Sequence, residues 1–270
     1  MKGLKFYEAS HRYRLDGEWV PGVTTILGVL DKPAIPKWAA TQVAEYVADN
    51  PAGVEELRAM GRGPMVQALK GLPWAKRDTA AVRGTDVHNF AEKIVNGETV
   101  EVPEHLAGYV EAALAFMDDY IISPVLVEAV VGSREHRYAG KLDLVADSAR
   151  HPRAIYDYKT TASGIYGTTA WQNAAYAFAE FYGEGGDESP MATRPTPGYT
   201  GRIGVGIEAS FGVHLRPDGY SVHPLSFSPA VFQEFLAIRA AYDANKRAVG
   251  DWRVPGSGYV GISEQESEAS

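Results

Sequence analysis

The sequence predicts an α/β (α+β) protein: a central mixed β-sheet flanked by helices, with an N-terminal hairpin-and-helix addition. Three observations predict it. Segments with a two-residue apolar period, such as Ala139 to Ala146, are interspersed with segments of helical period, such as Glu104 to Tyr120. Strong turn signals, Asp16-Gly17 and Pro217-Asp218-Gly219 among them, separate the strand-like runs. Of 270 residues 45% are hydrophobic, which suffices for one large core. The expected organisation is an addition over residues 1–80, a core over 81–252 and an acidic, unstructured tail over 253–270.

In order, Phe6 to Val20 reads as a hairpin around Asp16-Gly17, followed by Pro21-Gly22-Val23-Thr24-Thr25-Ile26-Leu27, where a threonine can cap a short helix. Lys37 to Ala48 reads as an amphipathic helix. Gly53 to Lys70 reads as helix interrupted by Gly61, Gly63 and Pro64. A further helix is expected from Thr85 as N-cap, with Val87, Phe90, Ala91, Ile94 and Val95 as its apolar stripe. Helix Glu104 to Tyr120 follows Pro103. Strands are expected at Pro124 to Val131, Ala139 to Ala146 and around Asp157, the last two joined by the polar turn Asp147 to Arg153. A helix is expected from about Tyr166 to Tyr182, then a mobile loop over Gly183 to Tyr199, rich in Gly, Pro, Ser and acids. Strands at Arg202 to Ala209, Phe211 to Arg216 and Tyr220 to Ser226, and a helix over Pro229 to Val249, complete the chain.

Composition narrows the chemistry. No run of about 18 apolar residues occurs and the N-terminus has no apolar signal segment, so a cytoplasmic location away from membranes is expected. The absence of cysteine excludes disulfides, thiolate zinc sites and an iron–sulfur cluster, so any metal must be held by oxygen and imidazole. A formal charge of −8 argues against nucleic-acid binding through the overall field. Charge is nevertheless segregated. Six basic residues from Arg58 to Arg83 face a single acid, Asp78, whereas Glu264, Glu266 and Glu268 fall in the tail. A solvated helix face with an acidic tail has the same pattern.

Chemistry concentrates in Gly140-Lys141-Leu142-Asp143 and, fourteen positions after Asp143, Asp157-Tyr158-Lys159. Strand alternation puts Asp157 and Lys159 on one face, about 7 Å apart at Cβ. Antiparallel pairing of the two strands brings Asp143 beside Asp157. Two converging carboxylates repel unless a divalent cation lies between them. A surface hairpin with solvated acids and Lys159 paired to one of them fits the tripeptide equally. His88 and Glu92, at i and i+4, flank the apolar stripe of their helix, where an imidazole can bind metal or simply hydrogen-bond the glutamate. Glu128, between apolar neighbours, points into the pocket or sits at its rim beside Arg134 or Arg137. Gln172 and Tyr176, also i and i+4, contact phosphate or base, brace the Lys159 strand, or simply pack at a helix boundary.

Taken in order, G-T-x-x-H-x-x-x-E on a helix, G-x-x-D on a strand, D-x-K on the next strand and Q-x-x-x-Y on the next helix resemble the PD-(D/E)XK nuclease superfamily. The likeness is to the branch containing the RecB nuclease domain and phage-type exonucleases; it spans roughly Arg83 to Tyr182, and P-G-V-T-T-I-L is similar to the start of phage-encoded members. The resemblance implies a restriction-endonuclease-like core with the site at a splayed sheet edge. It implies Mg²⁺ or Mn²⁺ held by His88, Asp143 and Asp157, with Lys159 positioning and activating water. Glu92 joins these as a catalytic candidate; Gln172, Tyr176, Arg83 and Thr160 are taken to contact DNA or support the site. The implied activity is that of a DNA exonuclease leaving 5′-phosphates, of the kind that serves phage recombination or replication in the host cytoplasm. An endonuclease, or a nucleic-acid-binding protein without turnover, is the alternative. No P-loop is present, so a helicase, like a single-strand annealing protein, would be a separate partner chain.

Overall fold

The strand that carries Asp157 and Lys159 lies at the middle of the largest sheet in the computed structural model, which describes residues 3–95, 98–191 and 205–251. The chain begins with β1 (Leu4–Tyr7), β2 (Arg12–Leu15) and β3 (Glu18–Val20), a three-stranded antiparallel sheet whose last turn is the expected Asp16-Gly17. Helices α1 (Val23–Leu27), α2 (Ala34–Asp49), α3 (Pro51–Ala59), α4 (Arg62–Val95) and α5 (Glu104–Tyr120) follow. Next come β4 (Ser123–Val127), β5 (Val130–Ser133), β6 (Tyr138–Lys141), β7 (Leu144–Asp147) and β8 (Ala154–Lys159). The remainder is α6 (Thr168–Ala177), β9 (Phe181–Tyr182), β10 (Ser189–Pro190), β11 (Ala209–Arg216), β12 (Gly219–Pro224) and α7 (Pro229–Asp251).

The central sheet has the order β12-β11-β8-β7-β4, antiparallel except for the parallel pair β8 and β11, which α6 connects. Alternation along its strands makes two cores. Leu144, Ala146, Tyr156 and Tyr158 pack with Phe116 and Leu106 of α5 and Val87 of α4. Val145 and Ile155 turn the other way, toward α1, α6 and α7. By the same period, Asp157 and Lys159 share the face of Ile155, under α6.

A bend near the middle of this sheet creates the site. Pro124 to Val131 and Ala139 to Ala146, each expected as one strand, are each broken midway. The break occurs at the same level in both. Glu128 adopts φ 48°, and the Glu128 N–H donates to the Asp143 carbonyl while the Leu142 N–H donates to that of Ala129, both at 2.9 Å. Pairing thus continues through a corner into a second sheet, β10-β9-β5-β6. A left-handed backbone at a non-glycine residue costs about 1 kcal/mol or more, which these two shared bonds help offset.

Several expectations are corrected. Gly61 (φ 95°) forms the break between α3 and α4, but Gly63 and Pro64 lie in the first turn of α4, where a missing N–H costs little. Helix α4 then runs 34 residues through Pro73 and across residue 80, so the addition and the core share one helix. Thr85 is interior to it: its hydroxyl donates to the Ala81 carbonyl at 3.2 Å instead of capping. The helix expected to reach Tyr182 ends at Ala177, because Phe181 and Tyr182 pair with β5. In the expected mobile loop, residues 183–191 form a turn and strand; Glu184 and Glu188 accept from the backbone N–H groups of Phe6 and Leu4, and Met191 is buried. The rest of that loop, Arg202 to Gly204 and the acidic tail lie outside the described residues; residues 205–208 are not strand. Among the described residues, no helix is long and apolar enough to cross a membrane.

Candidate metal centre

At the corner the ladder between β7 and β8 stops at Leu144 and Tyr156, since β7 bends away beyond it. The next backbone groups of β8 on that side then go to side chains. The Tyr158 N–H donates to Asp143 Oδ2 at 2.7 Å, and the Tyr158 carbonyl accepts from His88 Nε2 at 3.1 Å. One residue's peptide groups therefore orient both an acid and an imidazole. The bond from Nε2 turns His88 Nδ1 toward the acids, 3.5 Å from Asp143 Oδ1 and 3.7 Å from Glu128 Oε1. No bond to Glu92 is needed to explain either ring nitrogen.

His88, Glu128 and Asp143 each offer an atom within 4.8 Å of the others'. Their 3.5–3.7 Å separations are long for hydrogen bonds, yet suit donors that each sit about 2.0–2.6 Å from a shared ion. The cavity they enclose, with Glu92, Met117 and Tyr158 among its walls, is about 10 Å³, room for a single small occupant. One imidazole nitrogen and two carboxylates, without thiolate, form a donor set for a hard or borderline divalent ion. The left-handed backbone aims Glu128 into the pocket. Its partner there is Lys141, at 2.8 Å, not the rim cations: Arg134 pairs with Asp16 and Glu188, and Arg137 with Glu18.

Asp157 stands outside this close group but borders it. It is 2% exposed; Gln172 Nε2 donates to its Oδ1 at 2.7 Å, and Oδ2 faces the Lys159 ammonium without a well-aligned hydrogen bond. Gln172 therefore braces Asp157, and Tyr176 supports from behind: Gly140 lies against the Tyr176 ring so closely that any Cβ there would overlap it. Arg83 donates to the Thr160 carbonyl at 3.2 Å and lies over the Tyr109 ring, tying α4 to the end of β8. Arg83, the Thr160 carbonyl, Gln172 and Tyr176 thus all make contacts within the protein around the cluster.

The charges are strongly coupled. Burial pushes Asp157 up to about 6, aided by Asp143 and opposed by Lys159. Burial and the Asp143 charge also raise Glu128 despite Lys141. For Asp143 burial acts upward too, but His88, Lys159 and the Tyr158 N–H outweigh it and hold the acid below the usual range. Burial pulls His88 down, yet Asp143 and Glu128 bring it up to about 9. An imidazolium between two carboxylates is the metal-free resolution of this cluster, and a divalent cation resolves it equally. Lys159 is desolvated but kept protonated by Asp157 and Asp143.

The residue missed from the sequence is Lys141, whose only signal was its place between Gly140 and Asp143. It is buried enough to resist charge, but Glu128 holds it protonated, and it senses Glu92 and Glu8, the latter from the turn after β1. The N-terminal addition meets β6 through the Gly22–Ala139 bridge and the Ala139 N–H to Pro21 carbonyl bond. No protein-family model and no curated protein matches the chain.

Proposed function

We propose that the chain is a divalent-metal-dependent nuclease of the PD-(D/E)XK type, a DNA exonuclease leaving 5′-phosphates. The observation that supports it most is the convergence at one bend near the middle of the sheet, not at its edge, of His88 from α4, Glu128 and Asp143 from the corner, and Asp157 with Lys159 from β8. His88, Glu128 and Asp143, with Asp157 alongside, are the residues that would hold the ion; when bound, it supplies positive charge at the phosphate and acidifies water. Lys159 stays cationic, so it acts by hydrogen-bonding the attacking water and the phosphate oxygen. Asp157, whose proton affinity burial raises, borders that position as the acceptor for a proton from that water. Gln172 fixes its orientation. An imidazole donor favours Mn²⁺ over Mg²⁺.

The test is degradation of end-labelled linear duplex and single-stranded DNA in Mg²⁺ or Mn²⁺, beside closed circular DNA. Loss of linear substrate with circles intact is the expected result. Nicking of circles makes the chain an endonuclease. No cleavage of either by folded protein overturns the reading. A nucleic-acid-binding protein without turnover is the second reading, favoured by the Asp157–Lys159 ion pair, in which the two groups neutralise each other.

A further inference from the structure

Beside the candidate centre is a pocket of about 210 Å³ where β2, β3, α1 and α7 meet, lined chiefly by His11, Arg12, Trp19, Thr25, Tyr242 and Lys246. None of the residues lining it is acidic. This is unusual in a chain with 34 acidic and 26 basic residues, whose cations are widely taken up by carboxylates: Arg134 by Asp16 and Glu188, Arg137 by Glu18, Arg153 by Asp147, Arg239 by Asp243. Among the described residues, neither Arg12 nor Lys246 has an ion pair. They rest on rings instead, Arg12 Cζ 4.0 Å from the Trp19 centroid and Lys246 Nζ 5.4 Å from that of Tyr242. Ring contact orients a cation while leaving its charge free for an anion.

The pocket adjoins the strand that leads into the site. The Ala139 N–H donates to the Pro21 carbonyl at 3.2 Å, and Gly22 bridges Ala139; both Pro21 and Gly22 line the pocket. Ala139 is four residues before Asp143, at most about 13 Å along an extended strand. His11, which lines the pocket, has its basicity lowered by burial and, to a smaller degree, by the charge of Lys141. A chain of net charge −8 needs such a local spot if it is to hold a polyanion at all.

We infer that this pocket binds a backbone phosphate of a nucleic-acid strand, a few nucleotides from the phosphodiester at the centre. Two cations without an ion pair among the described residues, a threonine hydroxyl and two aromatic rings suit one nucleotide unit: charge and hydrogen bond for the phosphate, ring surface for its neighbour. The placement relative to the centre rests on the nuclease reading; the binding does not.

Trp19 supplies the readout. The full chain, in EDTA to prevent hydrolysis, is titrated with single-stranded oligothymidylate and separately with inorganic phosphate, following tryptophan emission, with Trp19→Phe as the control. The expected result is a response to oligothymidylate that Trp19→Phe lacks. Arg12→Ala/Lys246→Ala should weaken binding at least about tenfold and flatten the log–log salt dependence by about 0.7, the value for one phosphate contact on a single strand. Arg12→Lys/Lys246→Arg should retain both. Unchanged affinity and salt slope in the folded alanine double variant would overturn the inference, as would a response to inorganic phosphate with none to oligothymidylate, which would mark a free-anion site. Binding lost in the double variant while wild type never cleaves DNA in Mn²⁺ would sink the nuclease reading and leave the pocket standing.

Discussion

The corner of the sheet and the helical arm formed by α2, α3 and the first half of α4 are built on opposite terms. At the corner, Leu142, Leu144, Tyr138 and Tyr156 are each at most 2% exposed, and hydrogen bonds join His88 and Asp143 to the Tyr158 peptide groups and Gln172 to Asp157. The arm buries little: α2 has no buried residue, and Ile35, Trp38, Val47, Met60, Val66, Trp74 and Val82 are all exposed. Both regions depart from local expectation, the corner by breaking two strands and the arm by continuing its helix through Gly63 and Pro64, but only the corner is densely packed. A bend that holds two carboxylates together against their mutual repulsion needs that packing; a surface-exposed arm does not.

The widest contrast should come from Lys159→Ala, expected to lower hydrolysis of linear DNA by about 10³-fold or more in a protein that still folds and binds metal. Retained activity would move the catalytic amine elsewhere, with Lys141 the first candidate. Wild type in Mn²⁺ at about 100 times its dissociation constant should gain about 2.7 kcal/mol against unfolding, and Asp143→Ala should gain almost none. Equal gains in calorimetry would show that the ion binds outside the corner. Glycine substitutions divide the two regions directly. Gly140→Ala drives a methyl into the Tyr176 ring and should cost about 1–3 kcal/mol in urea unfolding, whereas Gly71→Ala, in α4 with open space around it, should stabilise by about 0.5–1 kcal/mol. If both have the same sign, the packing contrast is wrong.

The smallest effect belongs to the surface. Asp147→Asn removes a carboxylate that Arg153 bonds at 2.8–2.9 Å and holds below its usual range, so the loss should stay under about 1 kcal/mol. Because the folded-state value is depressed, that contribution is present above the ordinary aspartate range, about pH 4, and disappears as pH falls below it. A wild-type advantage in melting temperature that persists at pH 2 would refute the assignment.

Much of the fold was legible because its signals are local. The Asp16-Gly17 hairpin, helix Glu104–Tyr120, the turn joining β7 to β8 and the pairing of β11 with β12 follow from turn chemistry and apolar period. Boundaries were lost where tertiary pairing competed with local preference. Phe181 and Tyr182 suit a helix end, yet their partners in β5 draw them into a strand. Thr85 has the chemistry of a cap, but α4 was already under way from Arg62. At the site, His88, Asp143, Asp157, Lys159 and Gln172 were all nameable from spacing, whereas Lys141 was not, because nothing in a sequence says that its ammonium will meet Glu128.

By itself, then, the sequence determined which chemistry is affordable: no thiolate, two strand acids, an imidazole on a helix flank, and an amine two places from an acid on one strand face. The tertiary structure decided which of these groups meet. Glu128 enters the centre and Asp157 borders it because β4–β5 and β6–β7 bend together, leaving the Tyr158 peptide groups to orient Asp143 and His88. The physical reason is range. Side-chain periodicity is set by neighbours a few residues apart, whereas a bend is set by backbone bonds between segments distant in the chain, which no local pattern encodes.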